Sequence, residues 1–499
     1  MIERWSRDQV LALAPDTSSR KAAQGVATPA KWPVRGHTGM VVYGECKGSG
    51  STPYLACVDL SEPAYRCSCP SRKFPCKHAL GLLLLWSDEA VPAEAGAPQW
   101  VTEWLDSRAA RAAKSAARAA TPADTTATEQ TSAEQTAAGK TAAGEQAAGE
   151  QVVAEQAAAG ATLAGPDGGG SVGGDEASGD AGGVGNGAQR VSAGGRGGSR
   201  AAGAESVRHG RVAAGLAELE RWLADQVRQG LAVAAEHDWE GLAKRLIDAQ
   251  APGVAGMVSR LSRVRAEEGW PGRLLEEYAL LNLLAVAYRR RAELPPDLAR
   301  TVLIRVGFPV TKEEVLTGPV VRDVWHVLGR RDETQDRLTA RRVWLRGRRT
   351  RRAALILSFA PQGQPLDASL VTGTAIDADL AYYPGAAPLR ALVATRHTPA
   401  MSTEEPEPVP PGMTPAEALD EVARALAEDP WTESWPLVLT GVVPDRRTIG
   451  GLPLHPRSHD PWRLIAVSGG HPLTVAAEWT PAGLRPLTTW DDEGTTVIL

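Results

Sequence analysis

The fold of this chain is best predicted from the stretch YRCSCPSRKFPCKH, residues 65–78. It holds three cysteines and one histidine in the spacing C-x-C-x6-C-x-H, namely Cys67, Cys69, Cys76 and His78. Three soft thiolates and one imidazole are the donors of a closed, four-coordinate zinc site. Because four protein ligands leave no open position for water, we predict one structural Zn²⁺ ion and no catalytic metal. A redox role for the C-x-C pair is disfavoured, since no thioredoxin-like βαβ pattern surrounds it.

The flanking sequence predicts a small module of the ββα type. Residues 40–46 and 54–60 have the composition of strands and enclose a turn rich in Gly and Ser. Pro70 ends a third short strand. Pro75 precedes the leucine-rich run 79–86, which is apolar almost all round and predicts a buried helix. A unit of this size buries little surface, so we expect metal binding to supply much of its stability.

Composition limits the class of protein. The chain has 499 residues and a formal net charge of −5, so any contact with nucleic acid has to come from a local basic patch. Clustering of three of the five cysteines within ten residues indicates metal ligands and not disulfides. The other two, Cys46 and Cys57, are expected to face each other across the hairpin as small buried residues. With no secretory signal and no apolar run of membrane-spanning length, a cytoplasmic protein without a membrane partner is expected.

Changes in composition predict an α+β multidomain chain of five segments. These are a helical segment at 1–35, the zinc finger module at 36–105, a basic alanine-rich helix followed by a long disordered linker at 106–205, a helical domain at 206–335 and a β-rich domain at 336–499. We find no nucleophile elbow, no H-E-x-x-H motif and no convincing carboxylate pair. A non-enzymatic protein with no small-molecule substrate is therefore expected.

The finger resembles the SWIM zinc finger, in which a C-x-C…C-x-H motif follows a hairpin and precedes a leucine-rich helix. Residues 48–54 and 67–80 are similar to bacterial SWIM-containing proteins in particular. The resemblance implies zinc ligation by Cys67, Cys69, Cys76 and His78, and a role in DNA or protein interaction. Bacterial relatives are associated with MoxR-type AAA ATPases and von Willebrand A domain proteins. The resemblance therefore also implies an alternative role, as an adaptor in such a system that does not bind nucleic acid.

Basic residues within the finger are the predicted contacts to nucleic acid. They are Arg66, Arg72, Lys73 and Lys77. With three thiolates on one zinc ion the local net charge is about +3, which suits weak, salt-sensitive phosphate binding. The basic face of the helix at 108–118 would extend this surface, and a second basic run, 341–352, contains seven arginines. The alternative for each patch is an ordinary solvated surface.

Overall fold

The structure is a computed structural model in which the chain forms two compact units. It describes residues 4–119 and 196–499, apart from short gaps at 49–51, 62, 72, 233–235, 267–268, 336–337, 362–363, 365, 398–408, 459–460 and 492. One unit joins Met1–Glu145 with Thr311–Leu499, and the other is Gln146–Val310. We call them the finger–barrel unit and the helical unit. The predicted mixed α+β class is confirmed. Most of the predicted linker lies outside the described residues, but its last part, 196–205, begins the helix Arg196–Gln229.

The finger is built on a four-stranded antiparallel sheet in the order β1-β2-β3-β4. Its strands are β1 (Val34–His37), β2 (Val41–Cys46), β3 (Tyr54–Asp59) and β4 (Ala64–Cys67). Three helices come from the flanking sequence: α1 (Arg7–Ala12), α2 (Thr17–Val26) and α3 (Lys77–Ser87). Helix α3 is buried from His78 to Trp86, as its all-apolar sequence predicts, because α1 and α2 cover it on the side away from the sheet.

The two faces of the finger sheet bury different cores. Cys46 packs with the leucines of α3, whereas Cys57 packs with Val41 and with helix α4 (Gln99–Ala119) on the opposite face. The strand register pairs Cys46 with Tyr54, three residues before Cys57. Because side chains alternate along a strand, an odd separation places them on opposite faces. The prediction that the two cysteines face each other is therefore wrong, although both are buried.

Five strands of the C-terminal region close into a barrel in the order β5-β6-β7-β9-β8. They are β5 (Val320–Gln335), β6 (Leu338–Gly347), β7 (Ala353–Pro361), β8 (Ala375–Tyr382) and β9 (Arg390–Arg396), preceded by helix α10 (Lys312–Leu316). The β7–β9 pair is parallel and the others are antiparallel, and β5 is long enough to pair with both β6 and β8. This connectivity is that of the OB-fold barrel.

Two segments of the C-terminal region adopt a structure different from the one that their local sequence favours. The run that follows Pro319 suggested a helix, but residues 320–335 form strand β5, because pairing on both edges outweighs local preference. The run at 462–467 suggested a strand, but Trp462–Ser468 is helix α12. The helix ends at its C-cap residue Gly469, which has a φ of 53° and therefore adopts the left-handed conformation.

A second sheet covers the outside of the barrel. It contains β10 (Trp435–Val442), β13 (Leu473–Thr480), β14 (Gly483–Trp490) and β15 (Thr496–Ile498), and it is accompanied by helix α11 (Pro415–Glu428) and by a ribbon of β11 (Thr448–Ile449) and β12 (Leu452–Pro453). Trp344 and Leu355, on the outer face of β6 and β7, pack against Val438 and Leu487. Gly329 permits this approach, since a Cβ there would lie 2.6 Å from Leu487 Cβ.

Ion pairs with little exposure to solvent fasten the second sheet and α11 to the barrel. Arg346 donates two hydrogen bonds to Glu421 on α11, at 2.6 and 2.7 Å, and Trp435 Nε1 donates a third. Burial raises the pKa of Glu421, but these bonds outweigh burial, so the pKa lies below its ordinary value of 4.5. Glu421 therefore favours the folded state in its ionised form.

We expect Glu421 to contribute to acid sensitivity. Because its pKa is lower in the folded protein, its contribution is present above about pH 4.5 and is lost as the pH falls through the folded pKa. The difference in unfolding free energy between wild type and Glu421→Gln should therefore shrink between pH 7 and about pH 3. Urea denaturation at both pH values measures it, and a difference independent of pH would contradict this account.

In the described part of the helical unit, five α-helices pack together. They are α5 (Arg196–Gln229), α6 (Glu236–Asp248), α7 (Pro252–Val264), α8 (Trp270–Arg289) and α9 (Pro296–Val306). Its sequence suggests that α8 is the central helix, yet Leu275 and Leu283 on α8 are 48% and 42% exposed. Helices α5, α7 and α9 contact α8 and leave one of its faces open. Within the described residues, no helix combines the length and hydropathy required to cross a membrane.

Candidate metal centre

Two neighbouring elements of the finger supply the four predicted ligands. Cys67 is the last residue of β4, and Cys69 lies just beyond it in the turn that Pro70 continues. Cys76 is the N-cap of α3, and His78 is in the first turn of that helix. The end of a strand and the start of a helix therefore meet at one point, and this explains why the ligands come in pairs separated by a single residue.

The four donor atoms lie within 4.8 Å of one another, and this arrangement fits one zinc ion. Cys67 Sγ is 3.7 Å from His78 Nδ1. In a tetrahedron with a Zn–S distance of about 2.3 Å and a Zn–N distance of about 2.1 Å, that edge would be about 3.6 Å. The donor set and the spacing agree, so Cys67, Cys69, Cys76 and His78 are positioned to bind one zinc ion through the Nδ1 atom of the imidazole.

Packing fixes the histidine and keeps water from the helix side of the site. His78 is 4% exposed, and its ring stacks on Tyr54 with centroids 4.7 Å apart and an interplanar angle of 28°. Tyr54 begins β3 and lies on the same face as Ala56. The sequence suggested this face but not the stacking, which depends on how α3 crosses the sheet.

Electrostatics at the N-terminus of α3 favour the Cys76 thiolate. Its pKa is lowered to about 4, first by the hydrogen bond from the Cys67 thiol and then by contacts with His78 and the Ala79 N–H, which lies 3.5 Å from Cys76 Sγ. The pKa of Cys67 is raised by the same shared proton and by burial, and burial also raises that of Cys69. Zinc would displace these protons, because thiolate is the form that binds the metal.

Most basic side chains near the site already contact the protein. Lys73 Nζ lies 2.7 Å from Asp16 Oδ2, and that lysine lowers the pKa of Asp16 well below its usual range. Arg66 is exposed and donates to the Trp100 carbonyl at 3.3 Å. Lys77 is exposed on the first turn of α3, and Arg72 lies outside the described residues.

The basic helix face at 108–118 is also partly engaged. Arg108 forms an ion pair with Asp59, the last residue of β3, whose side chain is only 9% exposed. Arg111 donates to the Ser107 carbonyl at 3.1 Å. The Arg108–Asp59 pair holds α4 against the finger sheet, whereas the Arg111 contact lies within α4 itself.

Four of the seven arginines in the run 341–352 show two different environments. Arg341 donates to both carboxylate oxygens of Asp332, and Arg346 does so with Glu421, so each holds two elements together. Arg349 and Arg351 are exposed at the turn between β6 and β7. Sequence reasoning could not separate the groups, because Glu421 is 75 residues from its partner.

Comparison with known families agrees with this geometry. A family model for the SWIM zinc finger matches residues 57–86, which hold all four ligands. A model for the SWIM-associated four-helix bundle domain matches residues 207–306, which span most of α5 and all of α6 to α9. No curated protein and no solved structure matches the chain. With a zinc-ligand cluster in the first region and a helical bundle in the second, the chain carries a SWIM zinc finger and a SWIM-associated four-helix bundle domain.

Proposed function

We propose that this protein is a non-catalytic interaction protein in which one zinc ion stabilises the finger. The observation that carries the proposal is the closed donor set: three thiolates and one buried imidazole would complete a tetrahedron without a position for substrate or water. Such a site suits a reducing cytoplasm, where thiols stay available for metal. Zinc would supply folding free energy there and no chemistry of its own.

The first candidate partner is nucleic acid, bound weakly at the finger. Lys77 and Arg66 are exposed on either side of the ligand cluster and would contact phosphates there. Lys73 would join them only by leaving Asp16. Two or three contacts give weak binding that falls steeply with salt.

The second candidate is the adaptor role, in which the finger binds no nucleic acid. The observation favouring it is that Lys73 and Arg108 already contact Asp16 and Asp59, so the positive charge near the finger is partly neutralised. The resemblance to bacterial SWIM proteins makes a MoxR-type AAA ATPase or a von Willebrand A domain protein the first partner to examine.

We expect full-length protein to bind a labelled DNA duplex more weakly as salt rises, and Arg66→Gln/Lys77→Gln to weaken binding by about tenfold at low salt. Fluorescence anisotropy across a salt series measures both. The control is Arg211→Gln/Arg221→Gln, which removes the same charge from exposed positions on α5. Equal binding by wild type and the finger variant would exclude the finger as the contact, and co-purification of an ATPase would then support the adaptor.

A further inference from the structure

A groove of about 660 Å³ lies at one end of the barrel. It forms where the start of β5 and β8 meets the turn between β6 and β7. The side chains that matter are Arg322, Asp323, Arg348, Arg349 and Asp377. Arg322 and Arg349 are 27 residues apart in sequence and meet because β5 pairs with β6, so no local pattern reveals the groove.

Both acidic side chains of the groove already accept hydrogen bonds from groups in its walls. Asp323 is 6% exposed and accepts hydrogen bonds from the backbone N–H groups of Val324, Arg349 and Thr350, at 2.8, 3.1 and 2.7 Å. Burial raises the pKa of Asp323, but these bonds outweigh burial and hold it below its ordinary value. Asp377 accepts from Arg322 at 2.9 Å. Asp377 is thus paired with Arg322, whereas Asp323 is held by backbone N–H groups and, in the described part of the chain, forms no salt bridge with an arginine.

Three arginines of the turn are held by contacts other than salt bridges. Arg349 donates to the Arg322 carbonyl at 3.1 Å, Arg351 donates to the Pro411 carbonyl at 3.3 Å, and Arg352 lies 4.1 Å over the Tyr382 ring. Across the part of the chain that the structure describes, none of the three forms an ion pair with a carboxylate. Glu417 is near enough for Arg351 to lower its pKa slightly, but its side chain caps α11 at Thr414.

We propose that this groove binds the phosphate backbone of nucleic acid. Guanidinium groups present planar pairs of donors that match phosphate oxygens. Those of Arg322, Arg348 and Arg349 line this groove, which is open to solvent, and Arg351 and Arg352 follow in the same turn. The groove walls carry arginine and no exposed aromatic or large aliphatic anchor of the kind that dominates protein interfaces. A ligand with regularly spaced negative charge therefore suits it better than a folded protein does.

Binding at the groove should lack sequence preference. Arg352 covers the Tyr382 ring, so that ring offers no free platform for stacking a base. The outer face of β6 and β7, which oligonucleotide-binding barrels use, is covered by the second sheet through Trp344 and Leu355. The proposal therefore rests on the groove itself and not on the barrel's connectivity. It is also independent of the finger contact proposed above.

The test measures binding of full-length protein to fluorescein-labelled oligothymidine of about 20 nucleotides, a length that can span a barrel-sized site. Arg349→Gln/Arg351→Gln should weaken binding by about tenfold at low salt and reduce the slope of log K against log salt by about 1.4, as for two lost phosphate contacts. Arg211→Gln/Arg221→Gln is the charge-matched control. Thermal melting should be unchanged in both variants, since neither loses a carboxylate partner.

The variants distinguish the groove from the finger as the site that binds nucleic acid. Unchanged binding by Arg349→Gln/Arg351→Gln, or a loss no greater than that of the control, overturns the proposal. If only Arg66→Gln/Lys77→Gln weakens binding, the finger contacts nucleic acid and the groove does not. If only Arg349→Gln/Arg351→Gln weakens binding, the groove contacts nucleic acid and the finger does not. Polyglutamate competing as well as the oligonucleotide at equal charge would also overturn the nucleic-acid assignment, because it would indicate an acidic protein as the ligand.

Discussion

Replacing Cys69 with serine is expected to abolish zinc binding and to unfold the finger, while the helical unit remains folded. Structural zinc in finger peptides contributes an apparent free energy of about 10–16 kcal/mol, which exceeds the total stability of many domains. Cys69 lies in the turn, half-buried against the finger core, and serine has nearly the same size and shape, so the substitution chiefly removes a ligand. Hydrogen exchange should show lost protection in β4 and in the first turn of α3.

A matched cysteine separates metal loss from general destabilisation. Cys57 is fully buried in the same sheet but lies on the opposite face from Cys76 and is not among the ligands. Cys57→Ala should therefore keep one zinc ion per chain and lose stability only modestly. Retention of zinc and of β4 protection in Cys69→Ser would show that the ligand assignment is wrong.

Glu478→Gln is expected to destabilise the finger–barrel unit by about 3 kcal/mol, because removing one partner of a buried ion pair leaves charge uncompensated. Glu478 on β13 is 1% exposed. It accepts two hydrogen bonds from Arg331 on β5, and Arg485 Nη1 lies 3.5 Å away. Denaturant unfolding followed by tryptophan fluorescence would measure the loss.

Two further variants test whether the expected loss of stability arises from the burial of the ion pair. Replacing all three charged residues together, as Glu478→Leu/Arg331→Met/Arg485→Met, should restore much of the loss, since apolar residues of similar volume often substitute well for a buried ionic cluster. Arg7→Ala removes one partner of an exposed pair in the same unit and should cost under about 1 kcal/mol. Equal losses in Glu478→Gln and Arg7→Ala would contradict the importance of burial.

The metal centre could be predicted from the sequence because its ligands are local. Cys67 and His78 are only 11 residues apart, and the strand end and helix start that position them are encoded between them. Strand β1 was missed, because Val34–His37 is short and Val34 is 45% exposed. Local patterns therefore sufficed for the site but not for the whole sheet around it.

The barrel and its groove could not be predicted, because their contacts are distant in sequence. The closing strand pair β5–β8 joins Val320 with Ala381, and this pairing made a strand of a segment whose local pattern resembled a helix. The support that the N-terminus gives the finger is similarly non-local. Trp5 and Trp32 are buried in the finger core, but their spacing in the sequence does not indicate which residues they contact.

The closed zinc site can be measured directly, by metal analysis and zinc-edge X-ray absorption on purified full-length protein. We expect one zinc ion per chain, with three sulfur neighbours at about 2.3 Å and one nitrogen at about 2.1 Å. Cys46 and Cys57 should contribute no sulfur, because they are absent from the ligand cluster. Purified protein that contains no zinc, or an absorption spectrum that shows a water oxygen bound to the zinc, would contradict a closed site with four protein ligands.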